Sequence, residues 1–256
     1  MKAVYDEPKY YEIAFSYRDI AAEVDTFEKC FERYARLPVK SVLELGSGNS
    51  PHLEELLSRG YAYTGLDINE AMLEYSSQKA SAIAGKAAFV HADMTDFFLG
   101  ETFDFAFIML GSLHTRNLQE LRSHFRSVAR GLNRGGLYLL DWCVHFAPFS
   151  ESSESWTMER DGIKVTTRYS ERLVDLVEQL VEETFSLEVV DGGTVSHLME
   201  TGVRRVIFPQ EFLQLVEDSG EFEFVGWWNN WDLEMPLGKV KDPNNVSRPI
   251  ALLRRK

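Results

Sequence analysis

Three carboxylates, Glu44, Asp67 and Asp93, follow or interrupt short apolar runs, and the first stands beside the glycine turn Gly46-Ser47-Gly48. Glycines at such a turn let the backbone approach a ligand where a Cβ would obstruct, and leave N–H groups to meet it. Asp67 lies about nineteen residues beyond Gly48, the spacing at which an acid reaches the two hydroxyls of a ribose held against the turn. Asp93, one segment further on, can accept from the exocyclic amine of a base, and Ile68, Met94 and Leu110 are apolar enough to sandwich its ring. Glu44 would repel a pyrophosphate and suits a ligand with an amine-bearing tail. A nucleoside, an amine and no phosphate describe S-adenosylmethionine. His114 is the candidate general base by position, with His145 second, while His197 reads as structural. None shows a metal-ligand spacing such as HxxxH, so no metal is expected.

The elements that position these groups follow from periodicity. Val42-Leu43-Glu44-Leu45 reads as a buried parallel strand, with Ser50 as cap and Pro51 as first residue of the next helix. Further strands are expected at Ala62 to Leu66, Ala87 to Val90, Phe103 to Leu110 and Leu137 to Leu140, each reached through a helix or short connection. An amphipathic helix is expected over roughly residues 18–36, and Leu118, Leu121, Phe125, Val128 and Leu132 form one face of another. Alternation of this kind implies an α/β, Rossmann-like, seven-stranded, mostly parallel sheet with helices on both faces. After residue 150 the pattern changes to antiparallel strands, with Arg160-Asp161-Gly162 and Asp191-Gly192-Gly193 as turns and Leu173 to Val181 ambiguous between helix and strand. Pro209 opens a further helix, and Phe222 to Trp228 and Ile250 to Leu253 return to the first sheet. The expected organisation is therefore 1–150 with 209–256 as the cofactor-binding domain, and 151–208 as an inserted antiparallel sheet.

At this point the chain resembles the class I S-adenosylmethionine-dependent methyltransferases, small-molecule type. The resemblance is carried by Glu44-Leu45-Gly46-Ser47-Gly48, Gly65-Leu66-Asp67-Ile68, Ala92-Asp93-Met94, Phe103-Asp104-Phe105-Ala106 and Leu132-Asn133-Arg134-Gly135-Gly136. It implies that Glu44, Gly46 and Gly48 hold the methionine part, Asp67 the ribose, and Asp93 and Met94 the adenine, with Ser47, Ile68, Leu110 and Gly111 also among the cofactor-binding residues. It also implies that Tyr11, Tyr17 and Arg18 close over the cofactor, and that the insert caps a substrate site or makes a homodimer contact. The first loop departs from the family, since Asn49-Ser50-Pro51 follows where a third glycine or small residue is usual.

The chemistry this implies is methyl transfer to a small-molecule acceptor by in-line displacement, which needs alignment and exclusion of water more than a catalytic triad. The competing readings are an NAD-linked oxidoreductase of the same sheet type and a non-catalytic nucleoside-binding module. With 256 residues and a net charge of −13, the chain is no coat for nucleic acid, because phosphate binding needs a basic face. Two cysteines, Cys30 and Cys143, give no disulfide framework. The N-terminus has no apolar signal core and no run spans a membrane, so a cytoplasmic protein is expected. Trp227, Trp228 and Trp231 with Asn229 and Asn230 read as packing beneath the insert or as a pocket wall, and Arg204 and Arg205 as solvated charges or partners of an acidic substrate.

Overall fold

The computed structural model describes residues 2–146 and 152–256. Two short helices open the chain, α1 (Pro8–Ala14) and α2 (Ile20–Tyr34). Then follow β1 (Ser41–Leu45), α3 (Leu53–Ser58), β2 (Ala62–Asp67), α4 (Glu70–Ser81), β3 (Ala87–His91), β4 (Phe103–Ile108), α5 (Leu118–Gly131) and β5 (Leu132–Asp141). Next come β6 (Ser152–Arg160), β7 (Ile163–Asp175), β8 (Leu180–Asp191) and β9 (Thr194–Arg205), and finally α6 (Pro209–Ser219), β10 (Phe222–Trp228) and β11 (Ile250–Arg255).

Strands β1–β5, β10 and β11 make a seven-stranded sheet in the order β10-β11-β5-β4-β1-β2-β3, with β11 antiparallel to both neighbours. The chain runs outward from β1 to β3 and returns to β4 on the other side of β1, so strand order reverses between β1 and β4. That crevice is where ligands bind in sheets of this kind. One apolar layer, with Phe125, Tyr138, Phe212 and Phe222, lies on one face, and another, with Phe27, Phe105, Phe107 and Trp228, on the other. The neighbours Trp227 and Trp228 enter opposite layers, as the two-residue period of a strand requires. The tryptophan cluster is thus packing within the α/β domain and not beneath the insert.

The other four strands form the sheet β6-β7-β8-β9, antiparallel throughout. Its inward face packs on α1 through Val165, Phe185, Leu187 and Ile13. The ambiguous stretch resolves as strand, turn and strand. The Asp175 carboxylate accepts from the N–H groups of Val177 and Glu178 at 2.8 and 2.9 Å, which ends β7 in a side-chain-closed turn. The polar link expected at 151–155 is already strand from Ser152 on, while the boundary at residue 150 falls outside the described residues.

Other local expectations shift. The helix expected over 18–36 starts at Ile20, where the Asp19 carboxylate caps it by accepting from Ala22 N–H at 3.0 Å. Ser50 is no cap and Pro51 no first residue: α3 begins at Leu53, and Ser50 takes a left-handed φ of 48°. The fourth strand ends at Ile108, because Leu110, at φ 52°, turns the chain away. Among the described residues no helix is long and apolar enough to cross a membrane.

Candidate active site

The glycine turn leaves β1 with Gly46 and Gly48 at φ 62° and 50°, the left-handed region that an L side chain resists. A Cβ on Gly46 would also stand 2.8 Å from the Met94 Sδ-methyl carbon, Cε. Space is therefore kept open on both counts. A cavity of about 200 Å³ opens against this turn, lined by Glu44, Gly46, Ser47 and Gly48, by Tyr11 and Arg18 from the N-terminal segment, and by Leu110. The Ser47 hydroxyl in this turn is buried without a hydrogen-bond partner among the described residues, an orphan of the kind that a ligand satisfies.

Asp67 stands at the end of β2. One carboxylate oxygen accepts from Gly48 N–H at 2.7 Å and the other from Asn69 N–H at 2.8 Å. Burial raises its pKa, against the opposing pull of those N–H groups. Ile68 is 66% exposed, and Asp93 is exposed with Oδ1 accepting from Thr95 N–H at 2.8 Å. Asp67, Ile68, Asp93 and Met94 line neither this cavity nor the larger one described below; they stand where strands β2 and β3 end, with the Met94 methyl against Gly46.

Glu44 differs from the sequence expectation. It is only 2% exposed, and both its oxygens have protein partners: His52 Nδ1 lies 3.0 Å from Oε1, and the Tyr63 hydroxyl donates to Oε2 at 2.6 Å. His52 Nε2 continues to Glu23 at 2.8 Å, and Glu23 accepts from Arg18 at 2.5 Å and from Arg248 at 2.8 Å. Arg248 then reaches Asp141, at the end of β5, at 2.8 Å. Burial works against charge on His52, yet Glu44 and Glu23 outweigh it and raise its pKa. Burial would raise Glu23 as well, but His52 and Arg18 hold it far below the carboxylate range. Glu44 is thus the inner end of a buried ionic chain more than a free hand for a ligand. His52, Glu23 and Arg248 went unread in the sequence. His52 lay four residues past Gly48, a signal that could have found it, whereas Arg248 had none.

A larger cavity of about 1040 Å³ lies between the strand ends and the inward face of the insert. From the α/β domain it is lined by Leu110, Gly111, Ser112, His114, Trp142 and His145. Tyr5, Tyr11, Phe15 and Tyr17 contribute from the N-terminal segment, so Tyr17 faces this cavity and not the glycine turn. Tyr11, Phe15, Leu110 and Ser112 border both cavities, which therefore adjoin. From the insert come Tyr169, Glu171, Glu183, Glu200 and Arg204. Arg204 is no solvated charge: its Nε lies 2.6 Å from Glu183 and its guanidinium 3.2 Å from Glu171. Arg205 likewise pairs with Glu211 at 2.7 Å. His114 lies 3.4 Å from Glu183. His145 lines the wall and His197 lies on the exposed outer surface of the insert. Glu183 could have been found from sequence, as a lone acid on the apolar face formed by Val181, Phe185, Leu187 and Val189. Asn230 is the member of the tryptophan–asparagine cluster that reaches the cavity, while Trp231 donates to Asp141 at 2.9 Å.

Comparison with known proteins places this geometry. A family model described as "Methyltransferase domain" matches residues 42–136, the stretch from β1 to β5. The protein YqeM of Bacillus subtilis (strain 168), which carries a methyltransferase name, is 32% identical over 203 residues, 78% of this chain and 80% of that one. A Geobacillus relative with a similar name is 30% identical over 115 residues, and this match spans about half (47%) of its length. In fold, the chain is similar to the sugar N-methyltransferase KedS8 from Streptoalloteichus (TM-score 0.73, 22% identity, covering 100% of this chain and 94% of that one). It is also similar to the S-adenosylmethionine-bound amino pentose methyltransferase CalS10 from Micromonospora echinaspora (TM-score 0.70, 17% identity, 93% and 92%). These relatives give the nicotinamide reading no support, and the chain belongs to the methyltransferase family.

Proposed function

We propose that this protein methylates an amine nitrogen of a small molecule that occupies the larger cavity. The observation that carries this reading is a like-charge pair. Glu171 on β7 and Glu183 on β8 are direct cross-strand partners on the inward face, and both line the cavity. Like charges directly opposite destabilise a sheet, and Arg204 bridges the two, with a contact to each. Glu200 adds a further carboxylate, while Arg248 is already matched by Glu23 and Asp141. An excess of negative charge beside Tyr5, Tyr11, Tyr17 and Trp156 suits an ammonium-bearing acceptor. The amine substrates in the names of CalS10 and KedS8 agree with this choice.

In this reading Gly46, Ser47, Gly48 and Arg18 hold the methionine part of the cofactor, and Glu44 supports them from the ionic chain behind the turn. Asp67 and Ile68 hold the ribose, Asp93 and Met94 the adenine, and Leu110 and Gly111 form the floor where the two cavities meet. S-adenosylmethionine supplies a methyl group on a sulfonium, so the N–C bond forms as the S–C bond breaks and the electron pair stays with sulfur. Glu171 and Glu183 draw in the ammonium, His114 accepts the proton it must lose, and Tyr11 and Tyr17 exclude water. Residues 1–150 with 209–256 are the cofactor domain and 151–208 the acceptor cap. The exposed Val195, Met199 and Val203 of β9 offer a second copy of the chain a surface to pair with, which sedimentation would test. Two free, buried thiols, Cys30 and Cys143, fit a reducing compartment such as the cytoplasm.

The deciding experiment is transfer of labelled methyl from S-adenosylmethionine to a panel of amino sugars and small amines, set beside their hydroxyl analogues. Transfer confined to amines is expected. Equal transfer to the hydroxyl analogues, or transfer to none of the amines, would overturn the reading.

A further inference from the structure

His114 sits in the loop after β4, beneath β8 and β9 of the insert. Its Nε2 lies 3.4 Å from Glu183 Oε2, and its ring comes within 3.9 Å of the point where a Cβ on Gly202 would stand. The other oxygen of Glu183, Oε1, accepts from Arg204 Nε at 2.6 Å and from the Tyr169 hydroxyl. The Glu183 side chain is therefore fixed by two partners on its own sheet and presents its remaining oxygen to the histidine. A carboxylate beside one ring nitrogen favours the tautomer with the proton on that nitrogen, leaves the lone pair on the other, and stabilises the imidazolium once it forms.

We infer that Glu183 is a positioning residue for His114, with Arg204 and Tyr169 holding its carboxylate, so that the insert decides how a histidine of the α/β domain handles the acceptor's proton. The proton's destination rests on the amine reading above; the orienting of His114 does not. The titratable groups that line the cavity with His114 are Glu154, Tyr169, Glu171, Glu183, Glu200 and Arg204 from the insert, Tyr5, Tyr11 and Tyr17 from the N-terminal segment, and Cys143, His145 and Arg248 from the α/β domain. Burial lowers the basicity of His114, Glu183 restores part of it, and Arg204 opposes Glu183. The two insert charges thus act on the imidazole with opposite signs, and that opposition is a signature no merely structural role would produce.

The test is NMR titration of histidine-labelled protein, with His114 assigned by the signal lost in His114→Asn. In Glu183→Gln the His114 midpoint should fall by about half to one pH unit, and in Arg204→Gln it should rise by a similar amount. The double variant should return towards the wild-type value; it also reports the Arg204 effect against Glu183→Gln alone if Arg204→Gln does not fold. With an active acceptor, Glu183→Gln should lower kcat about 10-fold to 100-fold and leave the calorimetric affinity for S-adenosylmethionine unchanged. An unmoved midpoint, or midpoints moved the same way in both single variants, would overturn the inference. A wild type that methylates no amine yet shows the opposed shifts would count against the amine reading alone.

Discussion

The two adjoining cavities are built by different means. The smaller one is made of chain geometry: two left-handed glycines, a strand end, and an Asp67 carboxylate fixed by the backbone N–H groups that donate to it. Behind it stands an ionic chain in which His52 joins Glu44 to Glu23 and each member has a partner. The larger one is made of side chains from elements far apart in sequence, with a cross-strand pair of carboxylates, Glu171 and Glu183, bridged by Arg204 on its wall. The difference teaches where adaptability resides. A site of backbone and satisfied charges holds one ligand shape, whereas a wall of side chains on a separate sheet can be altered without disturbing the first.

The largest effect should come where the two cavities share a support. Glu23→Ala leaves Arg18, Arg248 and His52 without their common carboxylate. Breaking a buried ion pair costs about 3–5 kcal/mol, so the melting temperature should drop by about 10 °C, and both cofactor and acceptor should bind more weakly. Loss confined to one ligand would show that the cavities are independently supported. His52 gives the same network a pH signature. Its folded pKa is raised, so its stabilisation is complete below its unfolded value of about 6.5 and is lost as pH rises through the higher folded value. His52→Gln should remove that component from the dependence of melting temperature on pH, above about pH 6.5.

Next in size is Asp67→Ala, which by calorimetry should weaken S-adenosylmethionine binding about 100-fold, the worth of about two charge-assisted hydrogen bonds. The acceptor side should be untouched. Glu171→Gln should do the converse, with the acceptor KM up about 10-fold, equivalent to about 1.4 kcal/mol, and cofactor affinity unchanged. The smallest effect is expected of Ile68→Ala: this exposed residue should cost no stability and weaken the cofactor only about threefold, as for partial loss of one apolar contact.

The same division governs what could be read beforehand. The strand-and-helix alternation, the glycine turn and Asp67 were legible because local periodicity and turn chemistry specify them. Glu44 was noticed, but its partners were not, because Tyr63 and His52 meet it, and Glu23 meets His52, only after β1, β2, α2 and α3 have packed. Ser50-Pro51 carried a helix-start signal that the left-handed turn overrode. In the insert, alternation revealed the strands, yet only register could reveal that Glu171 opposes Glu183 and that Arg204 closes on both. Arg204 reads as a surface charge until its neighbours are known.

Helix α1 lies between the two sheets, and its anchors are far away in the chain. Tyr10 donates to Asp191, 181 residues on, and Trp156 donates to the carbonyl of Ala14, 142 residues on. Glu12 meanwhile holds Tyr75 and Lys79 of the α/β domain and Arg160 of the insert. Contacts of such sequence separation form late. During synthesis the first helix is made first but has no complete seat until β8 has emerged, so the wall that Tyr11 gives the cofactor cavity waits for the insert. A nascent chain halted before residue 191 would carry the glycine turn without the seat of the helix that walls it, so the cofactor cavity and the acceptor's cap are completed together.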